Sequence, residues 1–156
     1  MTWIVVRVRG GAHVETSLKE TMRHLHLTRQ NHAVIIPERD DMRGMVNKVQ
    51  GYVTWGPVSS PTVEALLKAR ARTEDGKPLE ATKVPASSGA KDLKGLTELV
   101  HKNGSLGVPG LKPLFRLHPP KGGWRSTKKP YSLGGALGYR EPGAKHNMDI
   151  LISKMI

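Results

Sequence analysis

The sequence predicts an α+β fold: a β-α-β-α-β sandwich with a three-stranded sheet and two helices on one face, plus a helical and Gly/Pro-rich basic C-terminal extension. Three observations predict it. Within residues 1–58, β-branched runs alternate with segments of helical periodicity. Beyond residue 59, helical spacing recurs only in separated stretches. Between Gly104 and Gly143, 15 of 40 residues are Gly or Pro, a density that predicts neither long helices nor central strands.

The elements follow in order. Along Trp3–Arg9, Ile4, Val6 and Val8 fall on one face and Trp3, Val5, Arg7 and Arg9 on the other, the period of a half-buried strand. Gly10-Gly11 ends it. Ser17 and Glu20 have capping-box spacing, and Leu18, Met22 and Leu25 continue at helical spacing, predicting a helix near 17–26. His32–Ile36 is a second strand, stopped by Pro37. Asp40 is the expected cap of a helix carrying Met42, Met45, Val46 and Val49 on one face, with Gly51 suited to its C-terminal cap. Tyr52–Trp55 is the third strand. Ser60-Pro61 opens a helix over about 60–72, with Val63, Leu66 and Leu67 as its apolar stripe. Residues 73–89 are polar, contain Pro78 and Pro85, and read as a loop. A helix over 92–102 carries Leu93, Leu96, Leu99 and Val100, and a last amphipathic helix near 147–155 carries Met148, Leu151, Ile152 and Met155. Residues 1–58 therefore form the expected core and residues 59–156 the extension, with its basic segment at 104–145.

Charge narrows the function. The 156 residues hold 25 basic and 13 acidic side chains, a formal net charge of +12. Residues 1–59 carry +3, residues 60–105 carry +2 and residues 106–156 carry +7, so the segment least able to fold alone holds most of the excess. A basic, Gly/Pro-rich stretch bearing Phe115, Trp124, Tyr131 and Tyr139 reads as an extension that orders on a polyanion. A flexible tail with incidental charge is the plainer alternative, but it wastes those large residues. There is no cysteine, which excludes disulfides, thiolate zinc sites and thiol catalysis. No run approaches the roughly 18 apolar residues of a membrane span, and the N-terminus does not read as a signal peptide. These features predict a soluble, cytosolic protein whose partner is nucleic acid rather than a membrane or a small molecule.

Candidate contact residues lie in four places. Arg7 and Arg9 share a strand face, which marks it as solvated or as a binding surface. The turn Gly10-Gly11-Ala12-His13 resembles an anion site if a helix N-terminus follows closely. Arg29, Asn31 and His32 precede the second strand; Arg supplies a rigid fork for phosphate or guanine, and Asn pairs with a base edge or a ribose hydroxyl. On the second helix, Arg43, Asn47 and Gln50 line the side opposite the apolar stripe, with Lys48 alongside. Gly44 in its interior costs about 1 kcal/mol against Ala, which points to a close approach of backbone, from within the protein or from RNA. In the extension, Arg116, His118, Lys121, Gly122, Gly123, Trp124, Arg125, Lys128, Lys129 and Arg140 continue the positive stripe. Trp124 has two open roles, stacking on a base or packing on the protein. Lys68, Arg70 and Arg72 sit at a helix end and complement its dipole. The seven His are dispersed and no acidic cluster surrounds them, so neither a metal site, a cofactor site nor a catalytic triad is expected.

These residues also carry a family resemblance. Val5-Val6-Arg7-Val8-Arg9-Gly10, Leu27-Thr28-Arg29-Gln30-Asn31-His32 and Met42-Arg43-Gly44-Met45-Val46-Asn47-Lys48-Val49 resemble the archaeal large-subunit (50S) ribosomal protein family known as L-thirty, counterpart of the eukaryotic L-seven protein. Leu117-His118-Pro119-Pro120-Lys121-Gly122-Gly123 and Gly134-Gly135-Ala136-Leu137-Gly138 extend the match over nearly the whole chain, with residues 73–91 the least family-like part. The resemblance implies a non-enzymatic constituent of the large subunit. Its expected partners are 23S rRNA, with 5S rRNA nearby, and neighbouring large-subunit proteins.

Two rivals stand beside rRNA binding. A small acylphosphatase-like enzyme accounts for Arg7–Gly11 and Asn31 but leaves the charged extension unexplained. An RNA chaperone or translation regulator acting off the ribosome shares the same composition.

Overall fold

Two runs, Trp3-Ile4-Val5-Val6 and Ala33-Val34-Ile35-Ile36, contain no polar residue to turn toward water. The computed structural model, which describes residues 2–80 and 84–156, buries both runs on both sides. Strand β1 (Thr2–Arg7) is central. It pairs antiparallel with β2 (His32–Pro37), Ile4 opposite Ile35, and with β3 (Val53–Pro57), Val5 opposite Trp55. The strand ends at Arg7 rather than Arg9, because the Val8 and Arg9 amides both turn to donate to the Tyr52 carbonyl, at 2.9 and 3.2 Å.

The sheet has six strands, not three. β4 (Leu114–Arg116) adds antiparallel to β2, β5 (Ser126–Pro130) forms the far edge, and β6 (Gly135–Tyr139) runs parallel between β3 and β5. The segment expected to supply no central strand therefore supplies a short one. Glycine makes this possible rather than preventing it: at Gly135 any Cβ would collide with the Lys129 carbonyl of the adjacent strand.

Helices cover both faces. Trp3, Val5, Val34 and Ile36 pack against α1 (Thr16–His24) and α2 (Asp40–Lys48). Ile4, Val6, Ala33 and Ile35 pack against α3 (Ser60–Arg70), α4 (Leu93–Asn103) and α5 (Met148–Met155). The sandwich with helices on one face is thus corrected. The residues beyond 59 close the second face, and each Ile or Leu they enclose contributes about 1.5–3 kcal/mol over an exposed position.

Several helix ends differ from the expected chemistry. α1 starts a residue before Ser17, with Glu15 at the N-cap and no side-chain cap, so the Ser17–Glu20 box does not form; the Ser17 carbonyl instead accepts from Thr21 Oγ1 at 3.0 Å. Arg39 is the N-cap of α2, which places Asp40 and Asp41 in the first turn, where they complement the helix dipole. α2 ends before Val49, so Gly51 lies in the following turn rather than at the cap. Pro61 does open α3, and Asp92 is the N-cap of α4. In the expected loop, Arg72 bridges Pro78 and Thr73 bridges Leu111. Residues 81–83 of that loop lie outside the described residues.

Candidate nucleic-acid interface

Strand register brings four strand ends together. β1 finishes at Arg7 beside the first residue of β3, β2 starts at His32, and β4 finishes at Arg116 opposite His32. The Asn31 amide donates to the Arg7 carbonyl at 2.8 Å, which locks the approach to β2 against this end. His32 is buried here, its Nδ1 accepting from the Arg29 amide at 3.4 Å and lying 3.3 Å from Thr28 Oγ1. Burial holds its imidazole below the ordinary histidine value, and the positive charges of Arg116, Arg29 and Arg7 push it further down. No carboxylate contributes to that balance. Arg29 and Arg116 are exposed at the same end, and neither makes an ion pair among the described residues.

Two of the candidate arginines are internal. Arg7 does not project from a solvated face, since that face is covered by α1 and α2; it is 4% exposed. Its Nε donates to the Arg9 carbonyl at 2.9 Å, and Nη1 donates to the carbonyls of Leu27 at 2.7 Å and Thr28 at 2.9 Å. Arg140 is 5% exposed and donates to Thr54 Oγ1, to the His146 carbonyl and to the Ala136 carbonyl, at 2.9, 2.9 and 3.3 Å. Its guanidinium lies 4.9 Å from the Tyr131 ring centre. Burial lowers both arginine pKa values. Both cations spend their donors inside the fold.

Asn31 and Trp124 also take internal roles. The Trp124 indole N–H donates to Asn31 Oδ1 at 3.2 Å, and the ring packs half-buried against the core. This bond ties the extension to the end of the sheet that carries Arg29 and Arg116. Arg9 is half-buried, donates to the Gly51 carbonyl at 3.2 Å, lies 5.0 Å from the Tyr52 ring centre and makes no ion pair among the described residues. At the Gly10-Gly11 turn a Cβ on Gly11 would lie 3.2 Å from Arg7 Nη2, and the N-cap of α1 is Glu15, whose side chain makes no cap hydrogen bond. The Arg9 and Asn31 groups on which acylphosphatase-like chemistry would depend are thus engaged elsewhere.

On α2, Arg43 pairs with Glu38 and Asp40 and lies 5.4 Å from the Trp3 ring centre. The Glu38 hydrogen bond raises the Arg43 pKa and lowers that of Glu38. Asn47 and Lys48 are exposed. Gly44 is exposed too, and a Cβ built there would meet nothing within 4 Å. Packing inside the chain therefore does not explain this glycine.

The His118–Gly123 run is docked on α5. The His118 amide donates to the Met155 carbonyl and the Lys121 amide to the Lys154 carbonyl, both at 3.1 Å. Gly122 and Gly123 have φ of +90° and +76°, conformations that favour glycine, and this accounts for the pair without any close neighbour. The side chains of His118, Lys121, Arg125, Lys128 and Lys129 are exposed. Lys68 pairs with Glu64 at 2.7 Å, and Arg70 donates to the Ile156 carbonyl at 2.6 Å.

The structure adds residues the sequence reading missed. Lys19 and Arg23, spaced i, i+4 on α1, line a cleft with Gly11 and Thr28 beside Arg7. His146 and Lys154 join Lys121 and Arg125 around another. The i, i+4 spacing of Lys19 and Arg23 was visible in the sequence; His146 carried no local signal. Among the described residues Arg29, Arg116, Lys121 and Lys154 make no ion pair, whereas Arg43 and Lys68 do.

Comparison with known proteins agrees with the resemblance. The family model for ribosomal protein L30p/L7e matches residues 3–53. The chain is similar to the large ribosomal subunit protein uL30 of Methanosphaera stadtmanae, 36% identical over 155 residues covering 99% of both chains. It is 42% identical over 137 residues to the uL30 of Methanopyrus kandleri, covering 85% of this chain and 92% of the relative. It is 37% identical over 166 residues to that of Desulfurococcus amylolyticus, covering 99% and 98%.

Proposed function

The chain belongs to the ribosomal protein L30p/L7e family, and from that premise we propose that it is a structural, non-enzymatic constituent of the large ribosomal subunit in the cytoplasm that binds and stabilises folded rRNA. The observation that carries the RNA-binding part is the end of the sheet around His32, where Arg29 and Arg116 are exposed and make no ion pair among the described residues. A protein that leaves this charge uncompensated is built for an anionic partner. Arg29, Arg116, Arg9, Lys48, Asn47 and the exposed cations of 118–129 contact phosphates and sugars of 23S rRNA, near the 5S rRNA. Gly44 lets α2 approach the RNA backbone. Binding proceeds by counterion release and by recognition of RNA shape.

Equilibrium binding of the full chain to a large-subunit rRNA fragment, measured across salt, tests this. About six to ten phosphate contacts lower affinity by roughly 10³–10⁵ between about 50 and 200 mM salt. A flat salt response refutes the mechanism. Co-sedimentation with large subunits after a high-salt wash separates a ribosomal constituent from a regulator acting off the ribosome.

A further inference from the structure

Between the Lys121–Arg125 run and α5 lies a cleft of about 190 Å³. Lys121, Arg125, Arg140, His146 and Lys154 line it, and no carboxylate does. Its floor is built rather than incidental. Arg140 is buried and spends its donors on Thr54, Ala136 and the His146 carbonyl, which fixes the segment that carries the His146 ring. Arg125 Nη2 lies 2.7 Å from His146 Nε2 and donates to it, so that nitrogen is an acceptor in the free protein. Lys121 and Lys154 form the rim, and neither makes an ion pair among the described residues. The backbone near Gly122 and Gly123 carries no Cβ to narrow the mouth.

So many basic groups converging without a counter-charge repel one another, and an anion relieves that repulsion. Size limits what the anion is. Pockets for whole small molecules usually enclose about 300–1,000 Å³, well above this cleft, so it suits a single phosphate group with its ester links. Trp124 and Tyr131 line the cleft too, but the Trp124 ring packs half-buried against the core and the Arg140 guanidinium lies over the Tyr131 ring. We propose that this cleft is a seat for one backbone phosphate of the bound RNA, gripped by Lys121, Arg125 and Lys154. Arg140 acts there as a positioning residue. The seat rests on the rRNA-binding role and deepens it by assigning a phosphodiester contact to one place in the extension.

The test compares the full chain with the double variant Lys121→Gln, Lys154→Gln, whose side chains are exposed, after thermal melting confirms an unchanged fold. Both proteins are titrated with the rRNA fragment across salt. The expected result is a slope of log affinity against log salt that is shallower in the variant by about 0.7–0.9, the loss of one phosphate contact. A steep wild-type slope with an unchanged variant slope overturns the seat and leaves the rRNA-binding role standing. A flat wild-type slope removes the role and the seat together. In a second arm, inorganic phosphate is added to the free proteins while the His146 ring and the Trp124 indole N–H are followed by NMR. Saturable shifts in the wild type alone support the seat. Tight phosphate binding combined with an unchanged RNA slope assigns the cleft to a small anion and overturns the RNA assignment.

Discussion

Replacing Arg7 by Met tests whether this arginine is an internal strut. The side chain donates to one fully buried carbonyl, that of Leu27, and to two partly buried ones, those of Arg9 and Thr28. Leaving a buried acceptor unpaired costs about 1–3 kcal/mol, and each partly buried bond about 0.5–1.5 kcal/mol. The sum is about 2–6 kcal/mol. Methionine offsets part of it, because a cation without a carboxylate partner no longer has to be desolvated. The expected net loss is therefore about 2–4 kcal/mol, or roughly 4–15 °C in melting temperature for a chain of this length. That is a large fraction of the usual 5–15 kcal/mol of a domain. Urea unfolding followed by circular dichroism measures it, with Arg29→Gln as the control. Arg29 is exposed and should stay within about 0.5 kcal/mol of wild type while making the rRNA salt slope shallower. An Arg7→Met protein as stable as the control would refute the assignment of Arg7 to the interior.

Gly44→Ala should stabilise the free protein by about 0.5–1 kcal/mol, because the new Cβ meets nothing and alanine favours the helix; it should also weaken rRNA binding if the RNA backbone lies against α2. Unchanged rRNA affinity removes α2 from the interface. His32 predicts a pH dependence. Its folded pKa lies below the ordinary 6.5, so the unfolded chain binds more protons just below that pH. The stability present above about pH 6.5 is lost as pH falls toward and through the folded value, and bound RNA, by supplying negative charge, raises the folded value and makes the loss smaller. Melting temperature followed from pH 7.5 to 5 should fall less in His32→Gln than in wild type; equal falls would refute the assignment.

The helical stripes were legible because each repeats over two or three turns, and Pro61 marked a helix start correctly. The helix-cap assignments at Ser17, Asp40 and Gly51 failed because side chains of the right type have several partners available and the backbone selects one only when the helix is packed. The second covered face was written in the sequence as well, in the unbroken apolar runs Trp3–Val6 and Ala33–Ile36, which mark strands buried on both sides. Reading Trp3–Arg9 as alternating concealed this, since two arginines at one end outweighed Trp3 and Val5. The pairing of β4, β5 and β6 left no such trace. Those strands are short, rich in polar residues or glycine, and acquire their conformation from the neighbours they join.

At the candidate site the same division holds. Sequence alone determined the excess of cations, its concentration in the last third of the chain and the family to which the chain is similar, because these depend on residue identity and order. It did not determine which cations are free. Arg7 finds carbonyls 20 and 21 residues away, and Arg140 finds Thr54 at a separation of 86, so both become internal. Among the described residues Arg29, Arg116 and Lys121 make no ion pair, and they remain at the surface. An arginine has the same charge in either setting; only the fold decides which oxygen atoms lie within reach of its N–H groups and how much water it keeps.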